Sequence, residues 1–227
     1  MKVILSATAL FLSIASSSFA LTYTGSLSTT DNTLFATQPW SQGSTLSWEV
    51  SSNNLNGWWT YEYTFTVPEH SISHVIVETS STFTAANIKT GTTPDYELGT
   101  FSGANGNPGL DTNTIYGLKW NTPEDEEFYE LVWTIVSDRK PMWGDFYSKD
   151  GKLVPNSFIY AYNSGLGYNT TSALSDGNAL DSFGHAWALV PDTTGGTDEV
   201  PVPEPGTIAL LGLGLVGIGL YRRNKRQ

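Results

Sequence analysis

The sequence predicts an all-β fold, an antiparallel β-sandwich of jelly-roll type, for residues 21–191. Three observations predict it. Short segments alternate between apolar and polar residues, turn-forming residues separate these segments, and no amphipathic helical pattern occurs between them. Residues 21–200, between the first 20 residues and the C-terminal segment, number 180, which is enough chain for one domain with a substantial core. The sequence contains no cysteine, so no disulfide stabilises that core.

The clearest predicted strand is residues 59–67, where every odd position is apolar and every even position is Thr or Glu. Residues 128–136 are apolar on both faces except at Glu130 and Thr134, which predicts a central strand. Further strands are predicted at residues 157–162, 185–190, 45–50, 74–78, 82–88 and 115–120. We expect the core to include Tyr61, Tyr63, Phe65, Leu131, Trp133 and Ile135.

Turn signals separate these strands. The dipeptide Asp150-Gly151 stands between residues 146–149 and residues 152–154, and this pattern predicts a two-residue hairpin. Other clusters of Asn, Gly and Asp occur at residues 53–54, 56–57, 103–109 and 176–178.

Residues 1–20 have the pattern of a secretory signal peptide. Lys2 supplies the positive charge, residues 3–14 form a short apolar run, and small residues precede a cleavage site after Ala20. We therefore expect export through the Sec translocon and cleavage by signal peptidase.

The charge of the exported part is strongly negative. Residues 21–200 carry 21 of the 22 acidic residues and only six basic ones, a formal net charge of −15. Such a surface repels phosphate, which excludes nucleic acid as a partner. It is compatible with calcium or with neutral sugars, and the 13% aromatic content suits either core packing or sugar stacking.

The densest acidic run is Glu124-Asp125-Glu126-Glu127, followed by Glu130. A calcium site needs six to eight oxygens that converge on one point, and no Asp-x-Asp-x-Asp-Gly loop is present. A solvated loop is the simpler interpretation, so we expect no cofactor, with calcium as the alternative. His70 and His74 are four residues apart, a spacing that suits a metal only on a helix, and His185 lies in a predicted strand.

No catalytic constellation can be recognised in the sequence. A glycosidase needs two facing carboxylates, and the sequence cannot pair its candidates. Motifs for a serine nucleophile, a zinc protease or a phosphate loop do not occur. We therefore expect a protein that is not an enzyme. The carboxylates considered are Glu62, Glu78, Glu130, Asp138 and Asp145.

Residues 141–147 place aromatic side chains around a Gly-Asp pair. One interpretation is a loop that faces a ligand, with Trp143, Asp145 and Tyr147 as binding residues. The other is an edge strand that packs its aromatic rings against the domain.

The end of the sequence combines a stalk, a motif, an apolar segment and a basic cluster. Residues 192–202 are rich in Thr, Gly, Asp and Pro and predict a flexible stalk. Pro203-Glu204-Pro205 follows, and then the uncharged residues 206–221. Sixteen helical residues span about 24 Å, against about 30 Å for the hydrocarbon core, which predicts a short transmembrane helix. The basic residues Arg222, Arg223, Lys225 and Arg226 orient their end toward the cytoplasm.

This arrangement at residues 201–226 resembles the PEP-CTERM sorting signal, and residues 203–227 would form the complete signal. The resemblance implies processing by an exosortase, a multi-pass membrane enzyme of Gram-negative bacteria that cuts near the motif. It implies an inner-membrane intermediate with one transmembrane pass, and then a place at the cell surface or in an extracellular matrix, often one of exopolysaccharide. The alternative is a plain membrane anchor.

The function that we expect is therefore that of an exported cell-envelope protein, structural or ligand-binding. A carbohydrate-binding module with an aromatic platform is the alternative, and a jelly-roll glycosidase or lyase is a further one. Exposed coplanar aromatic rings would favour binding, whereas a cleft with two carboxylates of perturbed pKa would favour hydrolysis.

Overall fold

The computed structural model describes residues 21–53, 56–150, 158–168, 180–181 and 183–191. The predicted signal peptide, the stalk and the C-terminal signal at residues 203–227 lie outside these described residues. Within the described ranges, no helix is both long and apolar enough to span a membrane.

The described residues form twelve strands and two short 3-10 turns. The strands are β1 (Thr22–Ser28), β2 (Leu34–Ala36), β3 (Thr45–Asn53), β4 (Trp58–Thr66), β5 (Ile72–Glu78), β6 (Tyr96–Ser102), β7 (Thr114–Asn121), β8 (Glu130–Ser137), β9 (Pro141–Gly144), β10 (Phe146–Asp150), β11 (Tyr160–Asn163) and β12 (Ala188–Pro191). The 3-10 turns are Ala85–Asn87 and Gly103–Asn105. The all-β prediction is confirmed.

Three sheets contain these strands, and every paired strand is antiparallel. A four-stranded sheet has the order β1-β3-β4-β8, and a six-stranded sheet has the order β2-β11-β10-β5-β7-β6. The strands β9 and β12 form a two-stranded sheet.

The four-stranded and six-stranded sheets share one core, to which alternating residues of each strand contribute. Along β4, Tyr61, Tyr63 and Phe65 are buried while Glu62 is exposed. The ring of Phe65 lies 5.1 Å from the ring of Phe146 on the six-stranded sheet. Of the six predicted core residues, five are buried, and Leu131 is half-buried against the same core.

The prediction of a central strand at residues 128–136 is wrong, because β8 is the edge of its sheet. Its outward residue Val132 is 59% exposed. The segment that follows the first 3-10 turn protects this edge: Lys89 N–H donates to the Val136 carbonyl, and Thr93 N–H donates to the Thr134 carbonyl. The apolar residues on both faces of β8 include β-branched residues, which favour strands, and they lie on an edge that this segment covers. They do not indicate a central strand with a neighbour on each side.

The predicted strand at residues 82–88 is also wrong, because these residues form a loop with a 3-10 turn. Asn87 N–H donates to the Thr84 carbonyl, and the Asn87 Oδ1 accepts the Thr84 N–H at 2.8 Å. These local hydrogen bonds satisfy the backbone groups that a sheet would otherwise have paired.

The predicted hairpin at Asp150-Gly151 does not fit the pairing of β10. Residues 152–154 lie outside the described residues, but β10 already has β5 on one side and β11 on the other. Lys149 is opposite Tyr160, whereas a two-residue turn would place it opposite Lys152, so the chain returns to this sheet eight residues later than predicted.

The other predicted strands occur, with shifted ends. The segment predicted at residues 185–190 becomes a strand only at Ala188, because Asp181 Oδ1 accepts the N–H groups of Phe183 and His185 in a turn. The pattern did not predict β1, β2 or β6. The segment at residues 141–147 contains all of β9 and the first two residues of β10.

A second and smaller cluster covers the outer face of the six-stranded sheet. Its buried members are Ile76, Phe101, Leu110, Ile115, Tyr147 and Leu166. The loop at residues 103–110 closes over this cluster. Asn107 Oδ1 lies 2.9 Å from His74 Nε2, and the Tyr147 hydroxyl donates to the Pro108 carbonyl at 2.9 Å.

Candidate functional site

Three aromatic rings form a cluster on the outer face of the six-stranded sheet, at its β2 edge. Phe35 of β2 lies opposite Tyr162 of β11, and Tyr160 lies two residues before Tyr162 on the same face. The ring centroids are 4.7 Å apart for Phe35 and Tyr162, 6.1 Å for Tyr160 and Tyr162, and 6.2 Å for Phe35 and Tyr160. We call these three residues the aromatic cluster.

The aromatic cluster is open to solvent. Phe35 is 43% exposed, and Tyr160 and Tyr162 are half-buried. The ring planes of Phe35 and Tyr162 differ by 22°, and those of Tyr160 and Tyr162 by 14°. Phe158, which is 53% exposed, precedes Tyr160 by two residues, and its backbone carbonyl accepts a hydrogen bond from the Thr37 hydroxyl at 2.9 Å. At these centroid distances Tyr162 stacks on both Phe35 and Tyr160, and Phe35 and Tyr160 are tilted by 36° to each other, so the rings cover part of one another's faces.

Buried residues support the aromatic cluster from one side. Tyr147 is fully buried, and its ring lies 6.4 Å from that of Tyr160 at an angle of 17°. Gly109 lies so close to Tyr160 that a Cβ at this position would overlap the tyrosine ring. A glycine is therefore required there, both for this contact and for its positive φ of 89°. These contacts hold Tyr160 in one orientation.

A separate cavity of about 410 Å³ lies beside the acidic run. Glu124, Asp125, Glu126 and Glu127 line it, together with Asp150, whose side chain is fully buried. His70 Nδ1 is 3.4 Å from Asp150 Oδ2. Among the described residues, no group of three His, Cys, Asp or Glu side chains has the arrangement of a metal site. Calcium binding stays an untested alternative.

Asp145 is the acidic residue with the clearest change in acidity. Burial raises the pKa of the Asp145 carboxyl to about 6, although hydrogen bonds from Asn163 and from the Gly167 N–H act in the opposite direction. Asn163 Nδ2 donates to Asp145 Oδ1 at 2.8 Å, and the Glu78 carboxylate accepts the Asp145 N–H at 2.7 Å. The Asp145 carboxyl is thus held by Asn163, while the Glu78 carboxylate contacts the backbone of Asp145.

The raised pKa of Asp145 predicts a pH-dependent stability. The folded protein binds the proton more tightly than the unfolded chain, so the stabilising effect of this group is present below about pH 4 and is lost as the pH rises through about 6. Asp145→Asn should therefore raise the urea midpoint at pH 7, and this gain should disappear at pH 4.

Asp138→Asn is the matched control for this pH dependence. Burial alone would raise the pKa of Asp138, but hydrogen bonds from Lys89 and Asn87 lower it. The carboxylate is 2.7 Å from Lys89 Nζ. The stabilising effect of Asp138 is thus present above its unfolded pKa and lost in acid, so its variant should lower the urea midpoint at pH 7. If both variants shift the midpoint in the same direction, the assignment for Asp145 is wrong.

The structure separates the three predicted binding residues. Trp143 is buried in the main core, where its ring is edge-on to Trp48 at 6.4 Å. Tyr147 is buried in the smaller cluster on the other face of its sheet, and Asp145 is half-buried between them. A ligand in solvent does not reach the buried rings of Trp143 and Tyr147. A binding role for these three residues stays a prediction.

The three histidines lie in different surroundings. Burial, aided by the charges of Lys119 and Lys149, lowers the pKa of His74 to about 3, so it is neutral under ordinary conditions. His185 Nδ1 is 2.9 Å from Asp181 Oδ2, and its ring stacks on Tyr168 at 3.7 Å. His74 lies in β5 and His70 precedes this strand by two residues, so they do not have the helical arrangement that their spacing would need to bind a metal.

Of the remaining candidate carboxylates, Glu62 lines a shallow cavity of about 370 Å³ together with Glu49, and Glu130 is not among the residues that line it. Glu62 is exposed on the outer face of the four-stranded sheet, directly opposite Glu49 of β3. Glu130 is exposed at the start of β8, opposite Thr66. Glu78 contacts Asp145 through the Asp145 backbone N–H, a proximity that no pattern in the sequence indicated.

The sequence contains one signal for the aromatic cluster. Tyr160-Ala161-Tyr162 alternates within the predicted strand at residues 157–162, which places both tyrosines on one face. No pattern predicted the three-residue strand β2, so the sequence offered no reason to place Phe35 beside them.

Comparisons with known proteins match one segment of the chain. Residues 201–226 match the family model of the PEP-CTERM protein-sorting motif, which confirms the resemblance of this segment. The matched residues, including Pro203, Glu204 and Pro205 and the four basic residues of the cluster, lie outside the described residues. No curated protein and no solved structure was found that matches the chain.

Proposed function

We propose that the PEP-CTERM segment directs the protein to the bacterial cell surface. The chain is exported, pauses in the inner membrane through residues 206–221, and is cut near Pro203-Glu204-Pro205 by an exosortase. The observation that carries this proposal is the match of residues 201–226 to the sorting-motif model. The predicted signal peptide at residues 1–20 supports it, because a sorting signal of this kind acts on exported chains.

The proposed role of the basic cluster is to stop translocation. Arg222, Arg223, Lys225 and Arg226 are each attracted to anionic lipid by about 1 kcal/mol. They keep the end of the apolar segment in the cytoplasm, so that the stalk presents the motif on the other side. In the cell-surface or matrix form of the protein, this cluster has been removed.

Mass spectrometry of the surface-released protein tests the sorting proposal. The native host should release a form that lacks the peptide of residues 222–227, because the cut falls near the motif. A released form that still contains this peptide would show an ordinary membrane anchor. Intact-mass measurement of the same sample also reports whether residues 1–20 are absent.

For the ectodomain, we propose a β-sandwich of jelly-roll type with a structural or ligand-binding role and no enzymatic activity. Two packed antiparallel sheets support the sandwich. The exposed positions of Glu62 and Glu130 on the four-stranded sheet, apart from Asp145 before β10, support a protein that does not hydrolyse glycans. Release of reducing sugar from a polysaccharide by the wild-type chain, lost in Glu130→Gln or Asp145→Asn variants that still fold, would contradict the absence of activity.

A further inference from the structure

We propose that β1 is the contact between two copies of this chain, which pair their β1 strands antiparallel across a two-fold axis at Thr24. The two four-stranded sheets then join into one continuous sheet. The inference names a partner for the ectodomain, and it does not depend on the sorting step.

The hydrogen bonds of β1 show which of its backbone groups point away from its sheet. The Leu21 carbonyl accepts the Ser52 N–H at 2.8 Å, and the Thr29 N–H donates to the Ser44 carbonyl at 3.1 Å. The odd-numbered residues of β1 therefore bond to β3. In an antiparallel pair the backbone groups of the alternate residues point to the other side, which here is the outer edge of the sheet.

Three residues along this outer edge have open backbone groups. Among the described residues, no group pairs with the N–H or the carbonyl of Thr22, Thr24 or Ser26, and all three residues are exposed. Ser28 differs, because its N–H donates to the Thr33 hydroxyl oxygen at 2.8 Å. The open edge of β1 is therefore the stretch from Thr22 to Ser26.

The open edge lacks the features that usually protect an outer strand, such as a charged residue, a proline, a bulge or a short length. β1 has seven residues in unbroken register with β3, and none of them is charged or proline. The outer strands elsewhere in the two large sheets differ. β2 has only three residues, residues 89–93 cover part of β8, and β6 carries Glu97, while its Ser102 carbonyl accepts the Asn107 N–H.

The positions of the open groups favour one register between two copies. An axis at Thr24 places Thr24 opposite the partner's Thr24, and Thr22 opposite the partner's Ser26. Each such pair exchanges both of its N–H···O bonds, so this register satisfies every open group. An axis at Gly25 would place Thr22 opposite the partner's Ser28, whose N–H is already bonded.

The side chains are compatible in this register. On the outer face, Thr is opposite Thr or Ser, and such pairs hydrogen-bond across strands. On the inner face, Tyr23 is opposite the partner's Gly25. A Cβ at Gly25 would overlap the ring of Trp48, so this glycine lets the Trp48 ring reach the open edge. The partner's Tyr23 would therefore pack beside Trp48, as aromatic residues do beside glycine in paired strands.

Charge and size make this dimer weak and dependent on salt. Residues 21–200 have a formal net charge of −15, although residues 21–30 contain no charged residue. Glu49 lies opposite Thr24 on β3. Glu49 and the partner's Glu49 would be three strand spacings apart, about 14 Å, which exceeds the Debye length of about 8 Å in physiological salt. A stable interface uses about 20–30 residues a side, so we expect a Kd of about 0.1 mM that falls as salt is added.

Single cysteines in the detergent-solubilised full-length chain test the register, because the sequence contains no cysteine of its own. The Cα atoms of a hydrogen-bonded antiparallel pair are about 5.5 Å apart, a distance that a disulfide spans. Thr24→Cys should therefore give a disulfide-linked dimer on a non-reducing gel after mild oxidation, at a protein concentration of about 0.1 mM, equal to the expected Kd.

Thr22→Cys and Ser26→Cys are matched controls on the same strand and the same exposed face. In the proposed dimer, either cysteine is about 13 Å along the strand from its own copy, which is too far for a disulfide. Each control alone should give at least tenfold less linked dimer than Thr24→Cys. An equal mixture of the two controls should link, because Thr22 is opposite the partner's Ser26.

Thr24→Lys should weaken the dimer at least tenfold, because it places two like charges opposite each other on the edge. Sedimentation equilibrium in the same detergent measures the Kd, and any association through residues 206–221 is common to every variant. The urea midpoint should be nearly unchanged, since Thr24 is exposed. Thr60→Lys on β4 is the matched control, and its Kd should stay within twofold of wild type.

Three outcomes would overturn the inference. They are linkage of Thr24→Cys no greater than that of each control alone, equal association of Thr24→Lys and wild type, and a wild-type chain that is entirely monomeric at about 0.1 mM. The mass-spectrometric test of sorting uses none of these variants, so the two proposals can fail separately.

Discussion

A chain in which Pro203, Glu204 and Pro205 are all replaced by alanine is expected to stay at full length in the inner membrane. The processing enzyme would no longer recognise its motif, while the apolar segment at residues 206–221 and its basic flank would still hold the chain in the bilayer. The loss of C-terminal processing is expected to be nearly complete. Nearly all wild-type protein should be processed, and nearly none of the variant should be.

Cell fractionation followed by mass spectrometry measures this effect through the peptide of residues 222–227. The matched control replaces Thr193, Thr194 and Gly195 with alanine, which changes three residues of the same stalk outside the matched segment. The control should be processed like wild type. If the variant with alanine at Pro203, Glu204 and Pro205 also loses the peptide of residues 222–227, the processing enzyme does not recognise this motif.

Trp133→Ala is expected to destabilise the ectodomain by about 3–5 kcal/mol, a typical range for removing a fully buried aromatic side chain. Trp133 is 1% exposed. Its ring lies 5.1 Å from Tyr63, 6.2 Å from Phe146 and 6.2 Å from Trp120. These neighbours come from both large sheets, so the cavity would open between the sheets, where rigid strands limit collapse.

Val132→Ala is the matched control for this effect, because Val132 is the preceding residue of β8 and faces solvent with 59% exposure. It should cost less than about 1 kcal/mol, mainly through lower strand propensity. Urea unfolding followed by tryptophan fluorescence and by circular dichroism measures both variants. Similar losses in the two variants would contradict the assignment of the shared core to the inner face of β8.

The strands with strict alternation could be predicted from the sequence because local patterning is decided by which face is buried. β4 is the clearest case, since Tyr61, Tyr63 and Phe65 point into the core while Glu62 points to solvent. β8 shows the limit. The sequence predicted a strand at this position correctly. Whether that strand is central or at an edge depends on which distant segments pair with it.

The candidate site was less predictable than the fold, for the same reason. Phe35 and Tyr162 are far apart in the sequence, and only the pairing of β2 with β11 brings their rings to 4.7 Å. Glu78 and Asp145 meet through the pairing of β5 with β10. The raised pKa of Asp145 follows from its burial at this position, and no local sequence pattern indicates that burial.

By itself, the sequence determined the all-β class, most strand positions and the sorting segment at residues 201–226. Each of these depends on contiguous residues. Their periodicity, charge and order can be interpreted without knowing which distant segments they contact. The tertiary structure alone decided the sheet order, the covered edge at β8 and the gathering of Phe35, Tyr160 and Tyr162 on one open face. These depend on contacts between distant segments, and such contacts are set by the packing of the whole core.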